Sequence, residues 1–236
     1  MDEILVKIFR SFPYLFANLV GTPFVLVAFF LAKGQRRMMG LSGLVAAAFS
    51  PVAVLHEGEY WTPVRIGGLF FGLEDILFSF LTGSMAWFMA VWPYRQRLII
   101  QIHPPAFLKR FAATALVGIA FLFIFRLSGL EVMSATLSGQ VLLAGLVLKF
   151  QRNLWPMAVA GMLGYLAFHG LEMKIWFWLW PEFLSYWNAA SFWSQRFCGL
   201  PVGEIFFTAS FGAAVPIFLG YYANARLTKP ERAHGA

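Results

Sequence analysis

Glu74 and Asp75 stand side by side in FFGLEDILFSF (residues 70–80), a stretch with no other charge. A carboxyl group set among leucines and phenylalanines can keep its proton and hand it to a substrate, because an apolar site disfavours the ionised form. A second, ionised carboxylate can take a proton back. A matching lone acid, Glu204, lies in LPVGEIFFTAS (200–210). At helical spacing, Phe78 and Ser79 share the face of Asp75, and Phe207 and Thr208 share the face of Glu204. Each stripe therefore offers an acid, an aromatic ring and a hydroxyl. Adjacent helix positions point about 100° apart, so Glu74 and Asp75 face different ways, and the direction of Glu74 stays open.

Further polar groups sit near the same candidate span ends: His56, Glu57 and Glu59, and His169 and Glu172. His56 and His169 are candidate substrate-binding residues or backbone-bonded end groups. The segment KIWFWLWPEFLSYWNAASFWSQRF (174–197) holds five of the nine tryptophans. It reads as an interfacial aromatic belt or as a lid over an apolar ligand. Neither HxxxH nor HExxH occurs, and the single cysteine, Cys198, excludes an internal disulfide and a cysteine metal cluster. No metal site and no cofactor are expected. His103, Arg126 and Glu131 read as structural.

These residues need helices that can hold them in lipid. The chain is 60% hydrophobic and only 12% charged, against about 25% charged for a soluble domain. That excludes a water-soluble enzyme. The net charge of +7 is spread over short loops rather than basic tracts, which argues against nucleic-acid binding. The apolar run 11–32 is long enough to span a bilayer and has no evident cleavage site, so a cleaved signal is not expected. Candidate spans are 12–32, 39–56, 66–92, 109–128, 132–149, 154–173 and 199–224. On this count Asp75 and Glu204 sit roughly 12–15 Å along their spans, level with each other in the outer half of the membrane.

Alternate loops are rich in Lys and Arg: Lys33, Arg36 and Arg37; Arg95, Arg97, Lys109 and Arg110; Lys149 and Arg152; Arg226, Lys229 and Arg232. The positive-inside rule then places the N-terminus outside and the C-terminus in the cytoplasm of a cell (inner) membrane protein. Lys7 and Arg10 argue mildly the other way, and Asp2 and Glu3 precede them. An internal repeat supports seven spans. Lys33, Gln35 and Arg36 recur as Lys149, Gln151 and Arg152, and EDILFSFLTG (74–83) recurs as GEIFFTASFG (203–212). The fold expected is an all-α integral membrane domain over 1–236. It comprises a first three-helix repeat (11–92), a cytoplasmic loop and linker helix (93–131), a second repeat (132–224) and a cytoplasmic tail (225–236). An odd linker makes this a parallel 3+1+3 repeat. Gly83 and Gly212 are expected to permit close helix packing.

GLEDILFSF and GLPVGEIFF resemble the paired Pro-x-Glu-Glu/Asp motifs, followed by Phe, of the membrane lycopene cyclases, the small bacterial enzymes and the homologous domain of fungal fused enzymes. The resemblance runs through both repeats. It implies non-redox cyclisation of a linear carotenoid or related polyprenoid in the bilayer, with Glu74, Asp75 and Glu204 as candidate catalytic acids and base. Phe78 and Phe207 become candidate cation stabilisers, and Trp61, Trp180 and Trp187 candidates for the loop tryptophan of that family. The pattern departs at Gly72, where the family has Pro, and at Gly203, where it has an acid. A divergent, non-catalytic relative is therefore one alternative. Another is a small-solute transporter of parallel three-helix repeats, although the Pro-Gln pair of such sugar transporters is missing. A retinal pigment is excluded by the absence of lysine from 199–224.

Overall fold

The computed structural model describes residues 11–228. Asp2, Glu3, Lys7, Arg10, Lys229 and Arg232 lie outside the described residues. Among the described residues, seven α-helices follow in order: α1 (Pro13–Leu31), α2 (Arg36–Ala48), α3 (Leu73–Val91), α4 (Pro104–Leu127), α5 (Val132–Phe150), α6 (Trp155–Leu179) and α7 (Val202–Tyr222). Six are long and apolar enough to cross a membrane. The shorter α2 becomes so together with the 3-10 turn Ser50–His56, to which it is bent by 40°. Outward-facing rings and aliphatic side chains, such as Phe30, Phe123 and Leu127, are left uncovered by protein. In a helix every interior backbone group is satisfied within the segment, so such a surface can face hydrocarbon. The architecture is that of a multi-pass membrane protein.

The element boundaries differ from the sequence reading where glycine and proline intervene. The third helix begins at Leu73, not residue 66. Gly67 and Gly68 take φ of 72° and 64°, in the left-handed region that favours glycine and ends helical propagation. The seventh helix begins at Val202, not 199. The second span breaks after Ala48, because Pro51 cannot donate the next helical bond. The sixth helix runs on to Leu179, so part of the tryptophan-rich segment is helical. The linker helix starts at Pro104 rather than 109 and carries Lys109 and Arg110 on its first turns. Arg110 donates to the Tyr221 carbonyl at 2.6 Å.

Helices α3, α6 and α7 form the centre, with α2 against α3, α1 against α3, and α5 against α7. Gly83 faces Ala46 and the Ser42 carbonyl of α2, while Gly212 faces the Gly161 carbonyl and Tyr165 of α6. Both glycines thus let two backbones approach closely. At one end, Leu98–Ile99 (β1) pairs with Arg226–Leu227 (β4). At the other end, loop 57–72 is knitted to segment 180–201. Trp61 bridges to Trp187, Thr62 N donates to Tyr186 O at 2.7 Å, and Asn188 N donates to Tyr60 O at 2.8 Å. The strands Arg196–Phe197 (β2) and Leu200–Pro201 (β3) pair just before α7. This second cap lies over the N-terminal ends of α3 and α7, where the acids are.

Candidate functional site

Asp75 and Glu204 each occupy the third residue of a helix. They are therefore not roughly 12–15 Å along a span. They lie in first turns, where the helix dipole favours negative charge. Their registers in the two helices match, and both line one cavity.

Asp75 is held by four donors. Arg65 Nε donates to Oδ2 at 2.6 Å and Nη2 to Oδ1 at 3.1 Å. The Gly72 N–H reaches Oδ2 at 2.8 Å, the return half of a capping box. The Tyr14 hydroxyl reaches Oδ1 at 3.3 Å. The Arg65 and Asp75 side chains are 2% and 0% exposed. Arg65 Nη1 also lies 2.6 Å from Glu57 Oε1, a charge contact outside hydrogen-bond alignment. Burial by itself would lower the Arg65 guanidinium; the Asp75 and Glu57 carboxylates outweigh that and hold it above its ordinary value. Asp75 is therefore an ion-paired carboxylate, not a free proton donor. Glu74 turns away from the cavity: its Oε1 accepts the Ile66 N–H at 2.7 Å and pins the glycine turn. Of the three candidate acids, Glu74 is thus outside the cavity wall and works as a loop anchor.

Glu204 is arranged differently. The Tyr60 hydroxyl and the Trp187 indole N–H both donate to Oε1, each at 3.0 Å. Burial, and then the neighbouring Glu204, push the Tyr60 phenol far above its ordinary value, so it remains a donor. Both bonds fall on Oε1, and Oε2 carries no hydrogen bond among the described residues. Tyr60 also accounts for Gly203, where the resemblance expects an acid. A Cβ there would meet the Tyr60 hydroxyl at 2.5 Å and its ring at 2.8 Å.

The cavity measures about 300 Å³. One stripe of α7 runs its whole length: Glu204, Phe207, Phe211, Val215, Phe218 and Tyr222. Eighteen helical residues separate the first from the last, about 27 Å at 1.5 Å per residue. Trp187 and Tyr60 close the acid end. At the far end, Thr114 Oγ1 and the Tyr222 hydroxyl are bonded at 2.7 Å, and the Phe107 ring packs edge-on to Tyr222 at 5.5 Å. Ile119, on the outward-facing α4, lines the cavity yet is 43% exposed.

The remaining candidates fall into two groups. Phe78, Phe207, His56, His169, Trp61 and Trp187 all line the cavity. The Trp61 ring lies 5.1 Å from Tyr14 and 5.7 Å from Trp187, which links the surroundings of Asp75 to those of Glu204. His56 is bonded to the Val52 carbonyl and to Thr136 Oγ1, both at 3.2 Å. His169 Nδ1 meets Glu172 Oε2 at 2.9 Å, its ring stacked on Tyr165 at 5.5 Å. Trp180 is fully buried and absent from the cavity wall; it packs in a cluster with Tyr14, Trp176 and Phe183. Ser79 lines the cavity, while Thr208 is buried outside it. The sequence reading missed Arg65, Tyr60, Tyr14 and the His169–Glu172 pairing. A basic residue eight positions before a helix start carried no periodic signal. The i, i+3 spacing of His169 and Glu172 was the one clue available in the sequence. No group of three metal-ligating side chains is present among the described residues.

Comparison with protein-family models, with curated proteins and with solved structures finds no match to this chain.

Proposed function

We propose that this protein cyclises the end of a linear polyprenoid, of carotenoid type, by acid/base chemistry within the bilayer. The observation that carries the reading is the long apolar cavity whose acid end holds Glu204, with Oε2 outside the Tyr60 and Trp187 hydrogen bonds, and Asp75, ion-paired to Arg65. A proton leaves Glu204 Oε2 for a terminal carbon–carbon double bond. The resulting tertiary cation is attacked by the next double bond in the chain, which closes the ring and moves the charge to a ring carbon. His169, with Nδ1 bonded to Glu172, accepts the proton lost from the adjoining carbon, and a double bond re-forms. The product is an isomer of the substrate, and the electron count is unchanged, so the chemistry requires no redox partner. Asp75 is a positioning and electrostatic group here. Phe78 and Phe207 present ring faces to the cation.

The two halves of the chain are read as duplicated three-helix units in parallel, around α4. Supporting this are the paired α2–α3 and α6–α7 contacts through Gly83 and Gly212 and the acids at the third residues of α3 and α7. The basic loops favour an inner membrane with the acid end outside.

Expression in a lycopene-accumulating host tests the function. Cyclised yellow product is expected, lost in Glu204→Gln and slowed in His169→Asn. Unchanged lycopene alongside well-inserted protein would falsify the cyclase reading.

A further inference from the structure

A second pocket, of about 270 Å³, lies at the opposite end of the bundle from the acids, between the α1–α2 turn and the end of α3. Lys33, Gln35, Trp87, Trp92, Arg95 and Gln96 line it, together with a few apolar residues, and no carboxylate does. Trp87 is fully buried, yet its indole N–H has no hydrogen-bond partner among the described residues. The Gln35 Oε1 atom is likewise buried without a partner. A buried donor left unmet costs about 1–3 kcal/mol, so each of the two groups favours a ligand that satisfies it. The Arg95 guanidinium is held in place above the Trp92 ring, 4.2 Å from its centroid, with Nη1 on the Trp92 carbonyl at 2.9 Å. Lys33 has no carboxylate partner among the described residues. The pocket thus offers two cations and an indole donor to an anion, and one amide oxygen to a hydroxyl or amine.

We propose that this pocket binds a phosphate-bearing anionic headgroup, the phosphate between Lys33, Arg95 and Trp87 and a headgroup hydroxyl on Gln35. Phosphate oxygens match the donors, and charge-assisted bonds of this type are the strong ones. The neighbouring face of α1 is apolar and uncovered, with Val27 58%, Phe30 66% and Leu31 54% exposed, so acyl chains attached to such a headgroup would have a surface to lie along. The turn that repeats the Lys-x-Gln-Arg spacing, at 149–152, is treated differently. There β4 lies against the turn, and Asn153 donates to the Ala225 carbonyl at 3.4 Å. This inference is independent of the cyclase reading.

The test uses the full chain, purified in a neutral detergent and followed by native mass spectrometry and thermal stability. Phosphatidylglycerol, phosphatidylcholine, glycerol 3-phosphate and inorganic phosphate are titrated separately. Stabilisation by phosphatidylglycerol but not by the soluble phosphates assigns the site to a lipid. Stabilisation by glycerol 3-phosphate or inorganic phosphate assigns it to a free phosphate compound. Trp87→Phe, which removes the indole N–H together with the five-membered ring, is expected to weaken binding about tenfold. Should that variant fail to fold, the exposed pair Lys33→Gln with Arg95→Gln serves, with loss of binding expected. An equal response to phosphatidylcholine and phosphatidylglycerol, or undiminished binding in the variants, overturns the proposal.

Discussion

Removing Arg65 should unfold this protein more readily than removing any acid near it. In Arg65→Met the Asp75 carboxylate, wholly buried, keeps only the Gly72 N–H and the Tyr14 hydroxyl. Glu57, 15% exposed, loses its cation as well. Breaking a buried pair from one side costs about 3–5 kcal/mol, because a charge is left uncompensated. For a chain of this size each kcal/mol moves the melting temperature by about 2–4 °C, so a fall on the order of 10 °C is expected. Asp75→Asn alone leaves Arg65 paired with Glu57 and keeps an acceptor for Tyr14, so it costs about 1–3 kcal/mol. The double variant Arg65→Met with Asp75→Asn removes the stranded charge and should be more stable than Arg65→Met alone, a coupling of at least about 1 kcal/mol. Thermal melts of the four proteins in one detergent give all of these terms. A double variant no more stable than Arg65→Met would refute the reasoning that Asp75 is an ionised partner of Arg65.

Two further outcomes follow from the packing and the loops. Gly212→Ala places a methyl 2.5 Å from the Gly161 carbonyl oxygen and 2.8 Å from Tyr165 Cβ, and is expected to cost about 1–3 kcal/mol. Gly145→Ala meets nothing within 4 Å and should stabilise α5 by about 0.5–1 kcal/mol; melting temperatures that move the same way in both variants would contradict the close-approach argument. Cys198 is exposed in the acid-end cap, so a membrane-impermeant maleimide should label it in intact cells and Cys198→Ser should abolish labelling. Labelling only after lysis would reverse the proposed orientation.

Much of the fold is legible in composition and spacing alone. A chain that places so few charges between long apolar runs has to close its backbone hydrogen bonds within helices once it enters lipid, and the seven helical segments follow from that. Gly83 and Gly212 mark close helix contacts, because a missing side chain has the same steric consequence wherever a partner helix arrives. Asp75, Glu204, Phe78 and Phe207 could be chosen because helical spacing puts each acid beside a ring. Other features needed the tertiary structure, because they depend on which distant atoms meet. Asp75 sits in a first turn since Gly67 and Gly68 turn the chain before α3. Arg65 folds back to neutralise Asp75 across ten residues, and Tyr60 reaches Glu204 across 144. Trp180 resembles Trp187 in composition and neighbourhood, yet one fills the core and the other bonds Glu204. Periodicity specifies which way a side chain leaves its own helix; the partner that satisfies its charge or hydrogen bond is decided only when the helices pack.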